Sequence, residues 1–331
     1  VGHGELQFTA DQFLLKQFSL SADLSQGEEI SAQGEVQLSA ENADSRFDVH
    51  VSRLKLSQIG YMATDGQTGL GGGHLDLNGS LHGEIGSDPL DFDFTGTGGA
   101  AEYLKGSFYA DLADFGGQLN MSGEFSPKSQ ILDLREMQIR LPSVGVLKLS
   151  GRIGAVEGVV EAQLEMPDLR AAYGVHLGPM LAEFRPSLKS LALEGALSVG
   201  AKFRWQPGGW QLGGYLRPQG LDAFWEAQAL EVAVAKGHIP FTLFAGKPFS
   251  GPLTPVEQSG EISFSALSLG LASLDAGRFQ LASRPNQIAL RSPLKLAIAG
   301  GKVVIDDLSL GVGTSGPSGS VRVKIDAVDL A

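Results

Sequence analysis

The chain has no cysteine. That removes disulfide frameworks, thiolate metal sites and cysteine nucleophiles together, without fixing a compartment. Charge is also sparse: Asp, Glu, Lys and Arg make up 19% of the 331 residues, below the usual quarter. What charge there is leans acidic, with a net value of −12 and no basic cluster. Nucleic acid is therefore not an expected partner, because its affinity is carried by Lys and Arg on phosphates. The same balance argues against electrostatic docking to anionic headgroups. No apolar run approaches the roughly 18 residues that a membrane-spanning helix needs, and no signal-peptide pattern opens the chain. A Gly-X-Y period is missing, which excludes collagen. The six histidines, His3, His50, His74, His82, His176 and His238, are scattered with no partner spacing. The chain therefore reads as a non-enzyme with no cofactor, no metal and no catalytic residue. A polysaccharide-lyase reading would need converging acids and bases and often calcium.

What the chain does have is glycine, 45 residues of 331, about twice the usual 7%. Gly, Ser and Asn fall at turns between short alternating runs, the composition of an all-β protein. The stretch from Gly116 to Ile153 sets the pattern. Apolar side chains alternate with polar ones at Leu119 and Met121, at Leu132 and Leu134, at Met137, Ile139 and Leu141, and at Leu147 and Leu149. This is the period of a sheet with one apolar and one polar face. Degenerate copies recur, with starts at Gly4-Glu5-Leu6, Gly34-Glu35-Val36 and Gly260-Glu261-Ile262. Val1 falls inside such a pattern, so the expectation is a segment of a longer polypeptide whose anchor or export signal lies outside it.

Two motifs invite a chemical reading and are better explained by structure. The glycine-rich stretch 61–73 could cradle a phosphate, but that requires a helix immediately after it. The next residues are instead the alternating run His74-Leu75-Asp76-Leu77, so a loop between strands is expected. Asp88, Asp91 and Asp93 with His74 and His82 could be assembled into a metal site. Yet Asp91 and Asp93 alternate with Leu90, Phe92 and Phe94, which is the solvated face of a strand. The spacing of a calcium loop is absent.

Farther along, Asp168 is placed to cap an amphipathic helix carrying Leu169, Tyr173, Leu177, Leu181 and Phe184. Gly178-Pro179 should interrupt it and Arg185-Pro186 should end it. A cap or plug on an apolar sheet face is the expected role. A membrane-surface helix would need a basic polar face. From Leu191 to Trp205 every second residue is apolar or glycine. So long a strand predicts a bulge or bend at Gly195 or Gly200. Residues 221–236 read as strand at Leu230-Val232-Val234 and are ambiguous from Phe224 to Ala229, where Ala and Glu favour a helix. The Gly- and Pro-rich connection 245–259 is the best internal joint.

Strands with one apolar face must hide it against a second sheet, hide it by stacking, or curl and leave it open to an apolar ligand. Glycines inside strands and aromatics spread along the chain favour curling. The expected fold is mainly β: a long, twisted antiparallel sheet curled into an open apolar groove, with one short amphipathic helix near 168–187. Residues 1–331 would form one elongated, repeat-built segment.

The Leu-x-Leu-x-Gly units at Leu147–Gly151 and Leu191–Gly195, the run Ser292-Pro293-Leu294-Lys295-Leu296 through Leu308, and the strand–Pro–helix–strand run from Met166 to Phe203 resemble the AsmA-like family, with its TamB and YdbH relatives. Pro293–Leu308 is most similar to the C-terminal repeats of YdbH-type members. The resemblance implies a β-groove in the periplasm of the cell envelope that conducts phospholipid toward the outer membrane. The full-length protein would be anchored to the inner membrane, and inner- and outer-membrane components would meet its two ends. No family catalytic residue carries over. Phospholipid, or another acyl-chain lipid, is then the expected ligand. By alternation its lining is Leu132, Leu134, Ile139, Leu191, Leu193, Leu197, Val199, Phe203, Leu294, Leu296 and Ile298. Exposed sheet edges would also invite edge-to-edge self-association. The alternative is a structural or adhesive β-repeat, solenoid or sandwich, with a sealed core.

Overall fold

The computed structural model describes residues 2–8, 12–23, 29–39, 43–55, 68–84, 88–105, 108–112, 117–178, 182, 186–246, 258–270, 272–298, 301–313 and 316–326. Strands dominate, and the chain divides into two compact units: residues 1–142 with 146–160, and residues 143–145 with 161–331.

In the first unit, consecutive strands form an antiparallel meander. They are β1 (Gly2–Phe8), β2 (Gln12–Asp23), β3 (Glu29–Ser39), β4 (Ala43–Lys55), β5 (Thr68–Glu84), β6 (Leu90–Lys105), β7 (Phe108–Leu112), β8 (Gly117–Ser126), β9 (Ile131–Leu141) and β10 (Gly145–Ile153). Each pairs with the next from β1 to β6. β6 then divides: Leu90 to Gly98 pair with β8, and Ala101 to Lys105 pair with β7. β8 continues to β9, and β9 to β10. The glycine run Gly69 to Gly73 is not a loop. It lies within β5, with Gly69 opposite Leu104 and Gly72 opposite Ala101. Its backbone groups are paired across the ladder, which is what a phosphate cradle would have had to leave free. Residues 61–67 lie outside the described residues.

β11 (Gly158–Met166) straddles the division between the units. The helical segment comes next. Asp168 caps it as its side chain predicts, accepting from Ala171 N at 3.1 Å. One α-helical turn, α1 (Leu169–Ala171), opens into a wider π-helical turn at Ala172–Leu177. Leu169, Ala172 and Tyr173 are its buried side chains. Pro186 opens a 3-10 turn, Pro186–Ser190. A first-turn position suits it because no N–H is needed there. Most of residues 179–185 lie outside the described residues.

The second unit continues with β12 (Leu191–Gln206), β13 (Gly209–Trp225), β14 (Leu230–Gly246), β15 (Gln258–Phe264), β16 (Ala266–Leu269), β17 (Ala272–Leu274), β18 (Gly277–Arg284), β19 (Gln287–Leu290), β20 (Leu294–Ile298), β21 (Gly301–Gly313) and β22 (Gly316–Asp326). The ambiguous Phe224–Ala229 resolves into the end of β13 and a 3-10 turn, Glu226–Gln228, closed by Ala229 in the left-handed region. The bulge expected at Gly195 is present: the β12–β13 register shifts between Glu194 and Ala196. Its extra residue lies on β13 around Gly220, so the bulge belongs to the pair rather than to the long strand alone. The joint expected at 245–259 falls mostly on residues 247–257, which lie outside the described residues.

β14 changes neighbour along its length. Residues 230–233 pair with β16 and residues 236–238 with β15. Beyond that, Asn286 in the β18–β19 turn takes over. Its Oδ1 accepts from Phe244 N at 2.8 Å, its Nδ2 donates to Phe244 O at 3.1 Å, and its own N–H reaches Thr242 O at 2.7 Å. A single residue thus supplies strand-like pairing at this end of β14. All described pairings within both units are antiparallel between near neighbours, and none closes a unit into a barrel. The mainly β, antiparallel, unclosed architecture with one short helical segment matches the expectation.

Candidate functional site

Directly opposed residues share a face of a sheet, so register decides which apolar side chains meet. In the second unit Leu197 opposes Pro218, Val199 opposes Leu216, Phe203 opposes Leu212 and Trp205 opposes Trp210. Those rows continue onto β14 through Leu216–Ile239 and Leu212–Leu243. They go on through Gly237–Ile262 and Ile262–Phe279 to Leu281–Leu290 and Ile288–Leu310. One apolar face therefore runs from β12 to β21. The opposite face carries Glu194–Asp222, Ser198–Arg217, Arg204–Gln211 and Ser263–Arg278.

Two bulges keep β13 and β14 in phase with this division. One is at Gly220. The other is at Val234, which adopts φ +51° while Asp222 Oδ1 accepts from its N–H at 2.7 Å. A β-branched residue rarely occupies the left-handed region. The hydrogen bond its N–H donates to Asp222 fixes it there.

The first unit repeats the arrangement. Leu119 opposes Ile139, Met121 opposes Met137, Gly123 opposes Leu134 and Phe125 opposes Leu132. Arg135 is the bulged residue that shifts the phase between Leu134 and Met137. It lets Leu132, Leu134 and Ile139 share one face despite their mixed parity. On the polar side Arg135 Nη2 binds Asp91 Oδ1 at 2.6 Å and Gly123 O at 3.1 Å. Asp91 opposes His82 and Asp93 opposes Ser80 across β5. These acids line a polar face, as their alternation predicts. Among the described residues no group of His, Asp and Glu is arranged to hold a metal ion.

The expected lining residues fall into three sets. Leu132, Leu134 and Ile139 share the β9 apolar face. Leu191, Leu193, Leu197, Val199 and Phe203 share that of β12. Leu294, Leu296 and Ile298 stand on β20 opposite Ile305, Val303 and Gly301. Their side chains lie outside the described residues. Exposure varies along the face. Ala235 and Phe264 are only 4% and 5% exposed, whereas Leu191, Leu193, Leu197 and Val199 are half-buried. Phe203 and Trp210 are each 38% exposed, and Leu310 is 61% exposed.

Sequence alternation did not reveal how the aromatic rings lie. Gly79 opposes Phe94, Gly123 opposes Phe92, Gly214 opposes Phe241 and Gly277 opposes Phe264. A Cβ on Gly79 would stand 2.2 Å from Phe94 Cδ1, and one on Gly277 would stand 2.4 Å from Phe264 Cζ. At Gly123 and Gly214 the facing ring carbon would be 2.9 Å away. Each ring thus lies down over the glycine across from it. No single-strand pattern signals this, because the two partners come from different strands.

The helical segment and the 3-10 turn after it are tied to the start of β12 and the end of β13. The turn α1 packs against β12. Tyr173 Oη donates to Leu188 O at 3.1 Å, and Trp225 Nε1 donates to Ser187 O at 2.8 Å. Burial raises the Tyr173 pKa. Arg170 pairs with Glu194 on the solvent side, and that bond raises the Arg170 pKa.

No protein-family model matches the chain, and no curated protein matches its sequence.

Proposed function

We propose that this chain binds the acyl chains of phospholipids along its apolar sheet face and conducts them between the membranes of a cell envelope. The observation that carries the reading is the continuous apolar face from Leu197 to Leu310, which stays half-buried or exposed over much of its length. In a sealed sandwich such a face would be covered throughout. An acyl chain is the ligand whose chemistry fits, since each methylene withdrawn from water is favourable by about 0.8 kcal/mol. A dozen methylenes exceed the ordering cost of one flexible chain. Headgroups need no dedicated pocket in this scheme, because they stay in water at the margin of the sheet. The envelope setting, with an inner-membrane anchor outside this segment and membrane components at either end, rests on the resemblance of Ser292–Leu308 to AsmA-like repeats.

The test uses the intact chain. Native mass spectrometry of protein purified from a membrane-containing host is expected to find phospholipid bound. A photo-crosslinker at Leu197 should capture lipid, whereas one at Ser198, on the opposite face, should not. Leu197→Asp should abolish lipid loading while circular dichroism and thermal unfolding stay near those of the parent. Lipid-free protein with no capture at Leu197 would sink the proposal.

A further inference from the structure

The polar face of the second unit holds a notch whose origin lies in two residues. Pro240 is fully buried and has no N–H to give a neighbouring strand. Pairing between β14 and β15 accordingly ends at His238–Glu261. Gly260 fits beside it: a Cβ there would stand 2.3 Å from Pro240 Cδ and 2.5 Å from His238 O. The sheet opens at this point into a concavity of about 280 Å³, lined by His238, Ser259, Gly260, Glu261, Gln280 and Arg291.

The groups around the notch are mainly donors. Arg291 Nη1 donates to Ser259 Oγ, and its backbone N–H donates to Gln280 O at 2.8 Å. Among the described residues no carboxylate forms an ion pair with Arg291. His238 Nδ1 is buried and has no hydrogen-bond partner. The imidazole packs tilted against Tyr215, with ring centroids 5.2 Å apart and an interplanar angle of 36°, and Arg217 lies 4.8 Å above the Tyr215 ring. The single acid, Glu261, is paired with Arg278 at 3.2 Å. Of the lining residues Arg291 and Glu261 carry the full charges, and Arg278 offsets Glu261, which leaves the Arg291 guanidinium as the uncompensated charge at the notch, in a chain whose net charge is −12. A local excess of cation against the trend of the whole molecule, around a concavity with an unfilled buried nitrogen, is the arrangement of an anion site.

We propose that the notch binds a phosphate group, with Arg291 as its principal donor and His238, Ser259 and Gln280 as flanking partners. Arg is suited to phosphate because its planar fork presents two parallel N–H donors. The space exceeds that of a bare phosphate ion and leaves room for an attached polar group. The phosphate could belong to a soluble monoester or to a lipid headgroup at a membrane surface. This proposal does not depend on lipid occupying the apolar face, because the notch lies on the opposite side of the sheet.

The full chain would be titrated with inorganic phosphate and with glycerol 3-phosphate, following amide chemical shifts of β14, β15 and β18, with acetate as the planar control. Sedimentation with phosphatidylglycerol vesicles and with uncharged detergent micelles would form the second arm. Arg291→Gln should weaken binding at least about tenfold, the loss expected for a charge-assisted bond to a phosphate oxygen. His238→Gln provides a second variant, expected to weaken binding while leaving Arg291 in place. Lys324→Gln, an equal charge change at an exposed residue paired with Asp306, should leave binding unchanged. Shifts with the soluble phosphates, lost in Arg291→Gln, support a soluble ligand. Vesicle binding alone, lost in the same variant, supports a headgroup. If neither probe binds, if acetate binds as well as phosphate, or if Arg291→Gln and His238→Gln bind like the parent, the proposal is overturned.

Discussion

Val234 is a residue whose side chain and backbone disagree. Its φ of +51° disfavours a β-branched side chain, and the side chain is 43% exposed. The position is kept by the Asp222 hydrogen bond and by the register of two strands. Val234→Gly removes the conflict and little packing, so it should stabilise the fold by about 0.5–1 kcal/mol, read from the midpoint of urea unfolding. His238 offers a second test. Its pKa lies below the ordinary value, because burial penalises the imidazolium and Arg217 repels it. Tyr215 from β13, Glu261 from β15, Gln280 from β18 and Arg291 after β19 surround it. As pH falls the unfolded chain takes up this proton first. The stability due to neutral His238 is therefore complete above about pH 6.5, and is lost as pH drops below that value toward the lower folded-state pKa. The thermal midpoint of the parent should fall more steeply below pH 6.5 than that of His238→Asn. Parallel curves would show that the imidazole titrates as it does in water.

Among the elements, β14 depends most on borrowed partners. Asn286 supplies two side-chain bonds to the part-buried Phe244 backbone while holding a φ of +60° itself. Asn286→Ala leaves both groups unpaired and should cost about 1–3 kcal/mol. Asn286→Gly keeps the backbone conformation at ease, so comparing the two separates the lost bonds from the strain. Faster amide exchange at Phe244 in both variants is the expected readout. The strands themselves were plain in the sequence wherever alternation was long, as from Leu191 to Trp205. The phase change from Leu134 to Met137 lies in the sequence, but only the register shift between Ser122 and Gly123 identifies Arg135 as its bulge. The handover of β14 to Asn286 could not be read there, because Asn286 looks like any turn residue until its distance from Phe244 is known. The same holds for Gly123 beneath Phe92 and for the Pro240–Gly260 notch, which join residues from different strands. The proposed lining was legible as a face. Which of its members are open, such as Phe203, and which are covered, such as Ala235, depended on neighbours that alternation does not name.

At the scale of the molecule, the described side chains of β6, β8 and β9 in the first unit and of β12 to β19 in the second set charges on one side of the sheet and apolar residues on the other. An environment-sensitive apolar dye should therefore bind the native chain. Its binding should resist added salt, because the charges lie on the far face and salt screens charge rather than apolar contact. Binding only after unfolding would mark a sealed core and favour a structural repeat. The glycine–aromatic pairs add a property that face polarity alone does not give. Rings laid flat over glycine leave little relief, and relief is what divides a surface into discrete seats. Where Phe94 covers Gly79 or Phe241 covers Gly214, a flexible apolar chain meets nearly the same contact however far it is displaced. Its free energy then varies little with position, so the floor can retain such a chain while opposing its translation only weakly.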